Sequence, residues 1–243
     1  MPLGCCVHCS LRMTTRRDST SRVGRVALCL AALSVFTGCA SARAVTTPAG
    51  LDSIQSAVTC PAPPRGAATS SPPRAFTSAP RQVIARDVGY CAYIATNRGV
   101  ITIRLRPEHA PNAVNDFVFL AQHGFYDGIR FDQVCPAPAP STCPAEAPIA
   151  IAGDPTGTGT GGPGYSVRAD PVIGEYLFGA VAMYGPDASA IGSQFFISRG
   201  DSTALAHRYD IFGEVTDGIP ALAALQKGDM ILWIAVLATA PEP

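Results

Sequence analysis

The sequence predicts a mostly-β domain with two helices, folded as a closed antiparallel barrel that the helices cap. Three observations lead there. Short apolar stretches bounded by turn residues recur between residues 90 and 238, one of them with clear period-two alternation. Only two stretches read as helix, one opened by Pro111 and one over residues 219–225. No strand–helix alternation is long enough for a doubly wound sheet, and no repeat of about 20–50 residues occurs.

Each element has its own reason. Residues 90–96 include Tyr90, Tyr93, Ile94 and Thr96 and read as a strand. Asn97-Arg98-Gly99 is turn chemistry, and residues 100–105 alternate apolar and polar, so a hairpin results. After Pro111, the apolar residues Val114, Phe117, Val118 and Ala121 return at helical spacing, and Gly124 ends the helix. Strand character returns at 128–134, 149–151, 179–183, 194–198, 209–215 and 230–237. Residues 135–148 form an irregular Cys/Pro/Ala loop, and residues 154–165 a glycine-rich one.

Composition sets limits. The chain has 243 residues, 47% apolar and 15% charged, with 23 glycines and 22 prolines. That supplies a core for one domain plus long linkers, not a helical bundle. The 18 basic and 18 acidic residues cancel, and Lys227 is the only lysine. Without a basic excess or stripe, there is no footprint for nucleic acid.

The neutral total conceals a basic head. Residues 1–38 hold five arginines and one aspartate. Arg22 and Arg25 precede an uncharged run over 26–38, which is too short to span a bilayer but fits the apolar region of an export signal. It ends Phe36-Thr37-Gly38-Cys39, which resembles a bacterial lipobox. Residues 1–38 are therefore expected to be a lipoprotein signal peptide, whether translation starts at Met1 or Met13. Cys39 would carry the lipid and anchor the protein to the outer face of the cell membrane. The alternative is a plain secretory signal cut near Ala42 or Ala44. Residues 39–81 are rich in Pro, Ala, Ser and Thr and are expected to be a solvated tether, with the domain over 82–240. Beyond Cys39, four cysteines remain, an even number for an oxidising compartment. Three pairings can be drawn. Cys135–Cys143 would staple one short loop, and Cys60–Cys91 would tie the tether to the domain's edge; these are the favoured two.

Several chemistries are excluded. The glycine-rich run from Gly153 lacks the Lys-Ser/Thr of a phosphate loop. His109, His123 and His207 lack metal-site spacing, so no metal is expected. Gly192-Ser193-Gln194 runs into the apolar Phe195-Phe196-Ile197 rather than a nucleophile elbow.

Six segments in order resemble the cyclophilins, a family of peptidyl-prolyl isomerases. They are Asn97-Arg98-Gly99-Val100-Ile101-Thr102-Ile103, Ala110-Pro111-Asn112-Ala113-Val114-Asn115-Asp116-Phe117, and Gly124-Phe125-Tyr126-Asp127-Gly128-Ile129-Arg130-Phe131. Gly153-Asp154-Pro155-Thr156-Gly157-Thr158-Gly159, Gly192-Ser193-Gln194-Phe195-Phe196-Ile197 and Phe212-Gly213-Glu214-Val215 complete the set. The resemblance covers roughly residues 90–238 and implies an eight-stranded closed barrel with two helices. It implies catalysis of X-Pro rotation, without cofactor or metal, because rotation breaks no bond.

Carried over residue by residue, the resemblance assigns catalytic positions to Gln133, Phe196, Leu205 and Tyr209. It assigns peptide contacts to Phe131, Ile149, Ile151, Gln194 and Ala204. The departures are specific. The family reads Phe-His-Arg where this chain has Phe131-Asp132-Gln133. Gln133 thus replaces the arginine that donates toward the prolyl nitrogen, and a neutral donor is weaker than a charged one. Pro148, Ile149 and Ile151 stand where the family has Phe, Met and Gln; Ala204 replaces Trp or Phe, and Tyr209 a histidine. Beyond Met183 the family's Ala-Asn is Tyr184-Gly185. Alternation from Gln133 points Arg130 to the opposite face unless a bulge intervenes. The expected protein is a monomeric isomerase acting on proline-containing segments of exported proteins. The alternative is a domain that has lost turnover and binds such segments as a chaperone or scaffold.

Overall fold

The computed structural model describes residues 59–64, 71–185 and 190–239. The export signal, Cys39 and much of the tether lie outside the described residues.

Strand β1 (Gly89–Thr96) and β2 (Gly99–Leu105) form the expected hairpin, paired through Thr96↔Gly99. Helix α1 (Pro111–Gln122) follows, then β3 (Phe131–Val134) and β4 (Ile149–Ala152). The remaining elements are β5 (Val167–Arg168), β6 (Ala180–Met183), β7 (Ala190–Ile191), β8 (Phe195–Ser198), β9 (Ile211–Asp217), α2 (Ile219–Ala224) and β10 (Ile231–Thr239). Eight strands make one antiparallel sheet in the order β10-β1-β2-β9-β6-β8-β4-β3. The fold is mostly β with two helices, a curled sheet whose outer strands β3 and β10 share no ladder. They meet only where they begin, at an Arg130–Met230 bridge flanked by Gly128 N–H to Ile231 O (2.7 Å) and Phe131 N–H to Asp229 O (2.8 Å). The two-residue strands β5 and β7 pair separately and were not expected from the sequence.

Helix α1 begins at Pro111 after an Ala110 that offers no cap. The missing acceptor comes from far along the chain. The Asp170 carboxylate takes the N–H groups of Asn112 (2.8 Å) and Ala113 (2.9 Å), where the helix dipole favours negative charge. The apolar face of α1 then enters the main core, where Phe117 meets Tyr126, Phe195 and Phe212 at 5.0–5.7 Å between centroids.

Three strands have two apolar faces, and this creates the site. On β4, β6 and β8, Ala150, Ala152, Val181, Met183, Phe195 and Ile197 join the main core. The alternating residues Ile149, Ile151, Ala180, Ala182 and Phe196 build a second cluster on the other face, with Leu205, Tyr209, Tyr176 and Ile211. Period-two alternation explains why uninterrupted apolar runs were needed here.

Both favoured disulfides are present, Cys60–Cys91 and Cys135–Cys143. The stretch expected to be solvated tether is held in two places. Near Cys60, the Pro61 carbonyl accepts from the Tyr93 hydroxyl at 2.7 Å. Farther on, Arg74 donates to the Phe125 and Asp127 carbonyls, and Phe76 packs on Phe119 (5.0 Å) and His123 (5.7 Å). Packed structure thus begins before residue 82, because Phe76 and Arg74 of this proline-rich segment find partners that the composition average hides.

Candidate functional site

The second apolar face carries one transverse row. Register sets Gln133 opposite Ile151, Ile151 opposite Phe196, and Phe196 opposite Ala182. Directly paired residues share a face, so Gln133 belongs to the same surface as Ile151 and Phe196. A register shift between Phe131 and Gln133 makes this so. Asp132 is the extra residue of a bulge. The bulge corrects one expectation: Phe131 is fully buried in the main core and faces away from the site. The resemblance had assigned Phe131 a peptide contact beside Gln133. The bulge also bears on Arg130, whose guanidinium nonetheless donates to the Gly228 carbonyl (2.7 Å) and does not line the cleft.

Beside the row lies an open cleft of about 570 Å³, bounded by Gln133, Ile151, Tyr184, Gln194 and two loops. The first loop is glycine-rich. Asp154 is buried at its centre and accepts from Thr156 N–H (2.6 Å), Thr156 Oγ1 (2.7 Å), Gly159 N–H (2.5 Å) and Gly161 N–H (3.1 Å). Burial works to raise this carboxyl, but the Thr156, Gly161 and Gly159 donors outweigh it and hold it at about 2. The backbone amides of this loop are thus turned onto the protein's own carboxylate. Gln194 completes the loop, donating to the Gly159 (3.2 Å) and Gly161 (2.9 Å) carbonyls. Gly153 must be glycine: φ is +102°, and a Cβ would stand 2.2 Å from the Ser193 carbonyl oxygen.

The second wall is the Cys135–Cys143 loop, which contributes Pro136, Pro140, Thr142 and Cys143. Arg199 pins its base, donating to the Cys135 carbonyl (3.1 Å) and to the Ala223 carbonyl of α2 (2.7 Å). Gln133 Nε2 donates across to the Thr142 carbonyl at 3.4 Å. Asp132 lines the cleft too; burial and the nearby Asp154 push its carboxyl up, and Lys227 opposes them.

The remaining expected residues cluster, but behind the cleft. Phe196 is fully buried, Leu205 is 6% exposed and Tyr209 is 8% exposed. Ile149 is buried with them, and Ala204 is exposed on the loop that carries Leu205. Tyr209 meets Phe196 edge-on at 5.6 Å, and the Arg208 guanidinium lies 4.9 Å from its ring centroid. The Tyr176 hydroxyl locks Tyr209 in place, donating to its carbonyl (2.9 Å) and accepting from its N–H (2.7 Å). Tyr176 and Thr142 carry no sequence signal, because each lies in an aperiodic segment. Among the described residues, no cluster of His, Cys, Asp and Glu is arranged to hold a metal.

What this arrangement can do is bind an extended peptide over an apolar row, with a neutral amide donor at one end. Comparison with known proteins identifies the family. The profile of the family described as cyclophilin type peptidyl-prolyl cis-trans isomerase matches residues 91–236. A peptidyl-prolyl cis-trans isomerase of Synechococcus elongatus is 33% identical over 151 residues, spanning 61% of this chain and 97% of the relative. Peptidyl-prolyl cis-trans isomerase A of Mycobacterium tuberculosis is 40% identical over 146 residues, spanning 52% of this chain and 73% of the relative. A crystal structure of a Cryptosporidium parvum cyclophilin type isomerase superposes with a TM-score of 0.52 at 26% identity, covering 64% of this chain and 99% of the other. A second structure of that protein, solved in the presence of the dipeptide Ala-Pro, gives a TM-score of 0.51.

Proposed function

Because the chain belongs to the cyclophilin type peptidyl-prolyl cis-trans isomerase family and is an isomerase, we propose that it turns X-Pro bonds of exported proteins at reduced speed, from a lipid anchor on Cys39. One observation carries the site assignment: the row Gln133–Ile151–Phe196–Ala182, set by strand register beside an open cleft.

An X-Pro bond rotates slowly because amide resonance resists twisting, with a barrier of about 20 kcal/mol. The protein accelerates it by binding the twisted state better than the planar one. The apolar row holds the proline ring, and the loop walls hold the flanking chain. A donor directed at the prolyl nitrogen favours its pyramidal form, which exists only near the transition state. Gln133 is the donor on this row. It is uncharged and is shared with the Thr142 carbonyl, so it stabilises the twisted state less than a guanidinium. The difference is worth about 2 kcal/mol, or about 30-fold in rate.

The export and anchor reading rests on the basic head, the apolar run and the Phe36-Thr37-Gly38-Cys39 sequence. Two disulfides fit an oxidising compartment. A barrel closed as in the family fold is supported by the Arg130–Met230 bridge between the outer edges.

The test is prolyl relaxation on a tetrapeptide with one Ala-Pro bond, comparing the natural chain with Gln133→Arg. A measurable natural rate and about a 30-fold gain in kcat/KM for the variant are expected. A variant that alone exceeds the uncatalysed rate would favour the binding-only alternative. Equal rates for the two would remove Gln133 from the mechanism.

A further inference from the structure

Ile151 and Tyr184 line the cleft and also pack against the aromatic cluster behind it. Tyr184 lines the cleft. Its ring stacks on Tyr209, with centroids 5.4 Å apart and planes 29° from parallel. Its ring also meets Phe196 edge-on at 6.3 Å. Phe196 is fully buried and Leu205 and Tyr209 nearly so, so an apolar ligand entering the cleft reaches Ile151 and Gln133 but is kept from Phe196.

Tyr184 is held at its backbone, where its N–H donates to the Gln194 carbonyl (2.8 Å), and not at its hydroxyl. It is half-buried, it follows the last residue of β6, and no hydrogen bond of its hydroxyl is seen among the described residues. What keeps the ring in place is its contact with two aromatic neighbours. Such stacking corresponds to about a 2- to 12-fold bias in an equilibrium. Tyr209 is different: Tyr176 locks its backbone and Arg208 donates to its hydroxyl at 2.8 Å. Both backbones are bonded, but only Tyr209 is also held at its hydroxyl, so the Tyr184 ring is the one that can turn about its own side-chain bonds.

We infer that Tyr184 is a gate that determines specificity, covering the apolar seat over Phe196 and swinging aside when a proline ring enters from the cleft. The inference deepens the isomerase reading and rests on it for the identity of the ligand. The closed ring lowers apparent affinity by the fraction of molecules in which the seat is covered. Removing the ring removes that factor. Removing only the hydroxyl does not, since the stack remains.

The experiment is a calorimetric titration of the full chain with the Ala-Pro tetrapeptide, alongside kcat/KM for the same peptide. Tyr184→Ala is expected to tighten Kd about 3- to 10-fold and raise kcat/KM by the same factor, with Tyr184→Phe matching the natural chain. A Tyr184→Ala protein that folds with an unchanged urea midpoint but binds equally or more weakly overturns the gate, because the ring would then be idle or a substrate contact. A Tyr184→Phe protein that behaves like Tyr184→Ala also overturns it, because the hydroxyl would then be the restraint. The titration reads the gate without turnover. Tighter binding with no catalysis in any protein would therefore uphold the gate and refute the isomerase reading, whereas catalysis with unchanged binding would do the reverse.

Discussion

The two walls of the cleft do the same job by different chemistry. The glycine-rich wall is held by one buried carboxylate that collects Thr156, Gly159 and Gly161, with Gln194 behind it. The cysteine wall is held by one covalent bond and by Arg199 at its base. The first restraint is electrostatic and can be titrated; the second is covalent and can be reduced. A loop with almost no side chains can still be rigid if its amides share one acceptor. A loop of alternating prolines has few amide donors to share, so it needs a staple.

Breaking the first wall should have the larger effect. Asp154→Ala leaves three loop amide N–H groups without their acceptor and should cost about 3 kcal/mol, read as a lower urea midpoint. Asp154 also gives this wall a pH dependence. Its carboxyl is held at about 2, below its ordinary 3.8, so its contribution is full above about pH 4. That contribution, about 2 kcal/mol, is lost as pH falls through 2. Asp154→Asn should flatten the stability profile between those pH values; an unchanged profile would mean that Asp154 is not the hub.

Opening the second wall should cost slightly less. The Cys135–Cys143 bridge closes a loop with a sequence separation of 8, and replacing both cysteines by serine should cost about 2–3 kcal/mol. The comparison sharpens under limited proteolysis. Reductant should expose residues 139–141 and leave 157–160 protected, and acid near pH 2–3 should do the opposite. Cleavage at 157–160 on reduction would show that the walls are one unit.

Much of this was readable from residue order, for identifiable reasons. The β1–β2 hairpin and α1 fell within a residue or two of expectation, because Asn97-Arg98-Gly99 and Pro111 are local signals. Strands β5 and β7, of two residues each, are too short to show a period. At Asp132 the reading failed for a different reason. A bulge adds one residue without any composition cue, so nothing in the residue order showed that Phe131 and Gln133 face opposite ways. The glycine-rich segment was readable as a loop, yet the role of Asp154 as its organising acceptor needs three-dimensional contacts. Tyr184 was visible as a departure from the family, but only packing shows that its ring stacks on Tyr209 and meets Phe196 edge-on.

The central claim is that a proline-containing peptide lies along the Gln133–Ile151–Phe196–Ala182 row between these two walls. Amide chemical-shift mapping of the full chain during titration with the Ala-Pro tetrapeptide tests it most directly. The largest shifts are expected at Gln133, Ile151, Ala182 and Phe196, with smaller ones at Thr142 and Gly159. Shifts concentrated instead around the exposed Ile173, Leu177 and Phe178 would contradict the account and move the peptide site to another surface.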